Sequence, residues 1–347
     1  MSRSLSYRDA LNEALTLEMD RDPRVFVFGL DVDDHKRIYG STRGLVEKFG
    51  PERCFGTPLS EDAMTGLALG AALEGLRPVH VHIRTDFLML GMNQLANMIA
   101  CTRYLSAGRL SVPLVIRAVV GRGWGQSAQH SKSMHSVFAH IPGLKVVLPV
   151  TPNEARGLLI SAIRDDDPVV FLEHRWLYDI EGPVDEGPDG LPIGEPVVVR
   201  RGTDLTIVAT SWMVIEALQA AEILSRHGVS VEVINARSVA PIDEGPIIES
   251  CTRTGACIIA DNDWLHCGFS AELAARIMEN CFGRLRAPAV RVGWAAAPCP
   301  TTRCLESRFY PTAADLIRAA ERTLELPPTD LEGEEFYSYE KRFKGPF

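Results

Sequence analysis

The chain has 347 residues, of which 46% are hydrophobic and 23% are charged, and its formal net charge at pH 7 is -9. This composition is typical of a globular protein with room for two domains, and it excludes a disordered or fibrous chain. The acidic balance, without any basic stripe, argues against a nucleic-acid-binding protein, because phosphate recognition needs clustered Lys and Arg.

The sequence predicts neither secretion nor a membrane span. The first residues, MSRSLSYRDALNEAL, lack the apolar core of a secretory signal. The apolar runs are short and interrupted, so no segment is long enough to cross a bilayer. Eight cysteines without a Cys-x-x-Cys pair indicate reduced thiols rather than a zinc or iron–sulfur site. We therefore expect a cytoplasmic protein.

Helices alternate with short apolar strands along the first half of the chain. Ser6, with Asp9 three residues on, resembles a capping box that opens the first helix. Strands are expected at 25–28, 79–83, 113–117, 145–148 and 169–172, and helices near 62–75, 87–105 and 152–164. This alternation is typical of a parallel α/β sheet.

A stretch rich in glycine and proline, 182–196, separates two such units, because it can hold neither a helix nor a central strand. Beyond it we expect strands at 205–209, 229–234 and 256–260, and helices near 214–227, 243–253, 270–281 and 312–324. The predicted organisation is a first domain over 1–181, a linker over 182–202, a second domain over 203–325 and a C-terminal tail over 326–347.

Three local features carry candidate chemistry, and each also has a plainer interpretation. Ser60 is a good N-cap for an apolar helix, which places Glu61 in the first turn. Glu61 is then either a dipole-stabilised surface residue or a buried functional acid, and the local pattern alone favours the surface. His130 lies in a polar, glycine-flanked loop, where a histidine is more often structural or solvated. The acidic run 165–167 is typical of a solvated turn.

Three longer segments together resemble a known family. They read PERCFGTPLSEDAMTGLALGAALEGLRPV, SAQHSKSMHSVFAHIPGLKVVLPVTPNEARGLLISAIRDDDPVVFLEH and, more weakly, DLTIVATSWMVIEALQAAEIL. Their content and order resemble the β subunit of the decarboxylating component of 2-oxo-acid dehydrogenases, in the transketolase-like superfamily. The resemblance implies two three-layer α/β/α domains with mainly parallel sheets, a thiamine pyrimidine-binding domain followed by a transketolase C-terminal domain.

The resemblance also implies roles for individual residues. The acid that matches Glu61 hydrogen-bonds the aminopyrimidine ring of thiamine diphosphate and so activates the cofactor. The aromatic residue that matches Phe87 stacks on that ring, and positions matching Leu59 and Ile83 line it. His130 matches a catalytic histidine near the substrate, where it helps to stabilise charge during acyl transfer.

Two cations follow from the resemblance. A potassium ion is implied at the positions that match Leu114, Ala162, Asp165 and Asp167, although the family usually has Asn where this chain has Asp167. Mg²⁺ holds the cofactor's diphosphate through a Gly-Asp-Gly…Asn motif, and this chain has no Gly-Asp-Gly. The resemblance therefore implies an α partner that holds Mg²⁺ and an α₂β₂ heterotetramer.

The implied function is decarboxylation of a pyruvate-like 2-oxo acid and transfer of the acyl unit to a lipoyl acyltransferase. Three segments depart from the commonest family pattern: GLDVDD at 29–34, RGWG at 122–125 and HSK at 130–132. The last two lie near the predicted substrate end. A biosynthetic carboligase, which transfers a two-carbon unit from pyruvate to another acceptor, is therefore an alternative. A non-catalytic assembly subunit is a third hypothesis.

Overall fold

The computed structural model describes residues 3–122 and 126–337. The chain divides into two compact units, Met1–Gly121 with His130–Ile193, and Arg122–Gln129 with Gly194–Phe347. Residues 123–125 of the divergent RGWG loop and residues 338–347 of the predicted tail lie outside the described residues.

The first unit contains eight strands and seven helices among its described residues. In chain order they are β1 (Arg3–Ser6), α1 (Tyr7–Arg21), β2 (Val25–Gly29), α2 (Leu45–Phe49), β3 (Cys54–Gly56), α3 (Glu61–Leu73), β4 (Arg77–His82), α4 (Thr85–Leu88), α5 (Ala100–Leu105), β5 (Val115–Val120), α6 (His135–Ala139), β6 (Lys145–Val147), α7 (Pro152–Arg164), β7 (Val169–His174) and β8 (Glu181–Val184).

Six of these strands form a parallel sheet in the order β6-β7-β5-β4-β2-β3. Every residue of β2, β5 and β7 is buried. Strands that are covered on both faces read as continuous apolar runs, which is why the sequence predicted them. The predicted fold class, α/β with mainly parallel sheets, is confirmed. Strands β1 and β8 pair separately and antiparallel.

Helices α1 and α7 pack against each other, and both begin at the caps that their sequences provide. The Ser6 hydroxyl accepts a hydrogen bond from the backbone N–H of Asp9, as predicted. Thr151 and Glu154 form a complete capping box at the start of α7. These side chains satisfy backbone donors that the first turn of a helix leaves without partners.

The stretch predicted as helical over 87–105 is helical, but it is not one regular α-helix. The chain there forms α4, a 3₁₀ turn (Met89–Gly91), a π-helical segment (Gln94–Ile99) and α5. Gly91 lets this segment approach α3 closely, because a Cβ at this position would lie 2.9 Å from the Thr65 hydroxyl of α3. The segment follows the surface of α3, and this packing overrides the regular period of an α-helix.

The second unit has six strands and five helices among the residues described. They are β9 (Val197–Arg200), β10 (Leu205–Ala209), α8 (Met213–Arg226), β11 (Val231–Asn235), β12 (Ser238–Ala240), α9 (Gly245–Thr254), β13 (Cys257–Trp264), α10 (Phe269–Cys281), β14 (Val290–Trp294), α11 (Arg303–Glu306) and α12 (Ala313–Leu324).

A five-stranded sheet in the order β14-β13-β10-β11-β9 forms the core of the second unit. Its first four strands are parallel, whereas β9 joins β11 antiparallel at the edge. Trp294, Phe309 and Tyr310 form a separate buried cluster with Cys299. No helix within 3–122 or 126–337 is long and apolar enough to cross a bilayer.

Candidate active site

The predicted site residues of the first unit follow the carboxyl ends of neighbouring parallel strands. The loop after β3 leads into Glu61, β4 is followed at once by Ile83, and the loop after β5 contains His130. In parallel α/β sheets ligands bind outside the carboxyl ends of the strands, at the same edge. The fold therefore places these three loops where a ligand site is expected.

Glu61 is the first residue of α3 and is half-buried. The Ser60 side chain makes no capping hydrogen bond, so the predicted N-cap role of that hydroxyl is wrong, although Ser60 does occupy the N-cap position. Glu61 instead borders a small, partly open cavity that is too tight to hold a water molecule. Its walls are Leu30, Thr57, Pro58, Ser60, Glu61, Met64, His80 and His82.

Two buried histidines of β4 form a wall of this cavity. His80 and His82 point to the same face of the strand, and their ring centroids lie 4.2 Å apart. Burial lowers the pKa of His82 to about 4 and also lowers the pKa of His80. Both rings are therefore neutral at pH 7, and the wall beside Glu61 carries no charge. Neither histidine was predicted as a site residue, although two histidines two positions apart in a strand share one face and could have indicated a polar wall.

His82 has buried polar atoms that the protein does not satisfy. Neither of its ring nitrogens has a hydrogen-bond partner among the described residues. Buried polar atoms are normally paired, so an exception in a cavity wall is a feature of ligand sites. The two ring nitrogens of His82 therefore remain available to hydrogen-bond the polar edge of a ligand.

Phe87 and His130 lie together, outside the walls of that cavity. Their ring centroids are 5.2 Å apart, and the rings meet edge to face. The buried carboxylate of Asp86 holds the His130 loop beside α4, because it accepts hydrogen bonds from the Lys132 ammonium at 3.0 Å and from the Lys132 backbone N–H at 3.3 Å. Ile83 is half-buried, whereas Leu59 is 82% exposed.

The acidic residues of the turn that is predicted to bind a cation already form ion pairs with basic side chains. The Lys145 ammonium lies 2.8 and 2.7 Å from the two carboxylate oxygens of Asp165. Asp167 pairs with Arg103 at 2.5 Å and with Lys145 at 3.4 Å. These ion pairs leave little uncompensated negative charge for a metal ion.

Two main-chain carbonyls at the same turn also accept hydrogen bonds from a side chain. The Arg77 guanidinium donates to the carbonyls of Ile163 at 2.9 Å and Asp165 at 3.0 Å. Leu114 and Ala162 are fully buried, and the Leu114 carbonyl accepts from the backbone N–H of Val169. The side chains present therefore do not favour K⁺, and a potassium ion here, which would rest on main-chain carbonyls, stays a prediction.

Comparison with known protein families matches both units. The family described as "Transketolase, pyrimidine binding domain" matches residues 3–180, and "Transketolase, C-terminal domain" matches residues 194–316. A pyruvate dehydrogenase E1 component subunit beta-2, mitochondrial, from Oryza sativa subsp. japonica is 42% identical over 325 residues, which are 92% of this chain and 86% of the relative. The chain belongs to this transketolase-like family of β subunits.

Two further similarities agree with that assignment. The β subunit of an acetoin:2,6-dichlorophenolindophenol oxidoreductase from Cupriavidus necator is 40% identical over 334 residues, covering 93% of this chain and 98% of the relative. A solved structure described as "Split gene transketolase, inactive beta4 tetramer" has a TM-score of 0.73 and 24% identity, over 93% of this chain and 99% of that one. The latter supports the fold alone.

Proposed function

We propose that this chain is the β subunit of a thiamine-diphosphate enzyme that decarboxylates a pyruvate-like 2-oxo acid and passes the acyl unit to a lipoyl acyltransferase. The observation that carries the proposal is the position of Glu61. In a chain of this family, the carboxylate lies at the amino end of α3 beside a small, partly open cavity with two uncharged histidines in its wall.

The residues present fit the pyrimidine end of thiamine diphosphate. Glu61 offers a carboxylate, His82 offers ring nitrogens without partners, and Phe87 offers an aromatic face. An aminopyrimidine is flat and polar at its edge, so it needs both stacking and hydrogen bonds. We propose that these three side chains hold the ring, together with Ile83 and the exposed Leu59.

When bound, thiamine diphosphate supplies the carbon nucleophile and the electron sink for decarboxylation. The Glu61 carboxylate would share a proton with a ring nitrogen of the pyrimidine, which is the general acid–base task assigned to this chain. The His130 imidazole would stabilise negative charge that develops on the substrate oxygen. Phe87 would orient the ring and keep water from one of its faces.

The diphosphate end of the cofactor requires a second polypeptide. No group of three or more His, Cys, Asp or Glu side chains able to hold a metal ion occurs within 3–122 or 126–337. The chain also lacks Gly-Asp-Gly. We therefore propose that an α partner holds Mg²⁺ and the diphosphate in an α₂β₂ assembly.

Two further predictions from the sequence remain proposals. They are the domain limits at residues 181 and 203 and the cytoplasmic location of the protein.

A biosynthetic carboligase is the second candidate. The divergent residue Lys132 supports it, because its half-buried ammonium lies in the same loop as His130 and pairs with the buried Asp86 beside α4. A different side chain in the His130 loop is a simple way to select a different acceptor.

The acceptor distinguishes the two candidates. We expect the chain, co-expressed with its α partner and supplied with thiamine diphosphate and Mg²⁺, to acylate lipoamide when it turns over pyruvate or a related 2-oxo acid. Acyl-lipoamide and CO₂ are measured in the same reaction. Release of CO₂ without acyl-lipoamide, in a complex that couples pyruvate to an aldehyde or ketone acceptor, would contradict the dehydrogenase and support the carboligase.

A further inference from the structure

Three arginines meet around one tyrosine at the carboxyl edge of the first unit's sheet. Arg84 follows β4, Arg175 follows β7, and Tyr39 lies in the loop after β2. The guanidinium carbon of Arg175 lies 4.2 Å from the centroid of the Tyr39 ring, and that of Arg84 lies 5.7 Å from it. Arg84 also donates to the Tyr39 hydroxyl at 2.7 Å, and the third arginine, Arg8, donates to the Tyr39 carbonyl at 3.2 Å.

Nearby acids compensate two of these charges but not the third. Arg8 forms an ion pair with Asp179. Burial and the charge of Asp34 raise the pKa of the half-buried Asp31, and the positive charge of Arg84 offsets part of that rise. The Arg175 guanidinium lies over the rings of Tyr39 and Tyr178. Among the described residues no carboxylate lies within 4.0 Å of its guanidinium, and no acceptor takes a hydrogen bond from it.

The surroundings of Arg175 disfavour its charge. Burial lowers the pKa of Arg175, the two tyrosines raise it, and the positive charges of Arg8 and Arg84 lower it again. Desolvated charges in proteins are normally paired, and an aromatic face replaces only part of the lost hydration. The half-buried guanidinium of Arg175, with its five N–H donors, would therefore be stabilised by a bound anion.

The fold holds in place the two tyrosine rings, Tyr39 and Tyr178, on which Arg175 lies. Three consecutive residues of the loop after β2, Arg37, Ile38 and Tyr39, have left-handed φ angles of 49°, 48° and 55°. Tyr178 meets the Tyr39 ring edge to face at 5.7 Å, and its hydroxyl donates to the buried Glu173. Non-glycine residues adopt this backbone conformation rarely, so tertiary contacts hold Tyr39 in place.

We propose that Arg175, supported by Arg84, binds the oxyanion of a small ligand, a carboxylate or a phosphate, at this edge of the sheet. The planar fork of a guanidinium matches both groups through two parallel hydrogen bonds. Arg84 stands three residues before Phe87, so the anion would bind on the same side of the sheet as the proposed cofactor ring. The anion would belong either to the 2-oxo acid or its acceptor, or to free phosphate.

Calorimetric titration of inorganic phosphate into the α/β complex, already loaded with thiamine diphosphate and Mg²⁺, tests the site without turnover. We expect Arg175→Met to weaken phosphate binding at least tenfold and Arg175→Lys to weaken it less. Arg43→Met is the matched control, because Arg43 is exposed and faces Asp9 at 3.5 Å. This control should change binding less than twofold. Complex assembly and the thermal midpoint are measured for every variant.

Steady-state kinetics separates the two sources of the anion. The site belongs to a substrate if phosphate competes with the 2-oxo acid or the acceptor and if Arg175→Met raises the KM for that ligand at least tenfold. Phosphate binding that Arg175→Met abolishes without a change in KM assigns it to a free anion. The proposal is overturned if the wild-type complex binds no phosphate, as expected if a carboxylate of the α partner pairs with Arg175. Equal losses in Arg175→Met and Arg43→Met overturn it too. Decarboxylation can fail without affecting this binding test, so the two proposals are judged separately.

Discussion

Replacing Glu61 with Gln is expected to abolish most of the 2-oxo-acid decarboxylation of the α/β complex while leaving the complex assembled. Gln has the size and hydrogen-bonding reach of Glu, but it cannot exchange a proton with the pyrimidine ring. Positioned general acid–base groups contribute about 10²- to 10⁴-fold to enzymatic rates, so a loss of at least about 100-fold is expected. Initial rates of CO₂ release at saturating cofactor measure the effect.

The neighbouring residue provides a matched control. Asp62 is exposed in the same first turn of α3, and its carboxylate accepts a long hydrogen bond of 3.4 Å from Gln94. Asp62→Asn removes the same charge from the same helix terminus, where an acid contributes about 0.3–1 kcal/mol. It should keep most of the activity. Full activity in Glu61→Gln would contradict the proposed role and favour the non-catalytic assembly subunit.

Arg117→Met is expected to destabilise the first unit by about 3–5 kcal/mol, the usual cost of removing one partner from a buried ion pair. The Arg117 side chain on β5 and the Glu173 side chain on β7 are both 1% exposed. Two hydrogen bonds, of 2.6 and 2.9 Å, join them. Arg117 also donates to the Ser41 hydroxyl at 3.0 Å. Its removal leaves a carboxylate without a counter-charge in the centre of the sheet.

Urea denaturation measures this loss as a lower midpoint at constant slope. Arg43→Met is the control, because it breaks the Arg43–Asp9 pair, whose two side chains are 67% and 49% exposed. Exposed pairs contribute about 0–1 kcal/mol, so the midpoint should hardly move. The double variant Arg117→Met/Glu173→Met, which removes both buried charges, should recover part of the loss. Equal shifts for Arg117→Met and Arg43→Met would show that burial of the pair does not matter.

The sequence predicted the parts of the fold in which local pattern and tertiary packing agree. Strands β2, β5 and β7 are buried on both faces, so their residues are mostly apolar and easy to find, with the buried pair Arg117 and Glu173 as exceptions. The segment 87–105 is helical as predicted, but its 3₁₀ and π-helical turns pack against α3, and local periodicity does not contain that contact. The edge strand β14 was missed because its residues are only partly buried.

The residues of the candidate site were likewise predictable only in part. Glu61 was found because a polar pair directly before an apolar helix is a local pattern. Its interpretation still depended on the resemblance, since the pattern alone favoured a surface residue. The arginines around Tyr39 were not predictable, because Arg8, Arg84 and Arg175 are far apart in the chain and come together only through the sheet order β7-β5-β4-β2.

CO₂ release from a panel of 2-oxo acids shows whether the two chains share the activation of the cofactor. It is measured for this chain alone, for the α partner alone, and for the purified complex with and without thiamine diphosphate and Mg²⁺. We expect release only by the complex with cofactor, since Glu61 serves the pyrimidine end and the α partner serves the diphosphate end. Equal release by this chain alone, or by the complex without thiamine diphosphate, would disprove this division of roles.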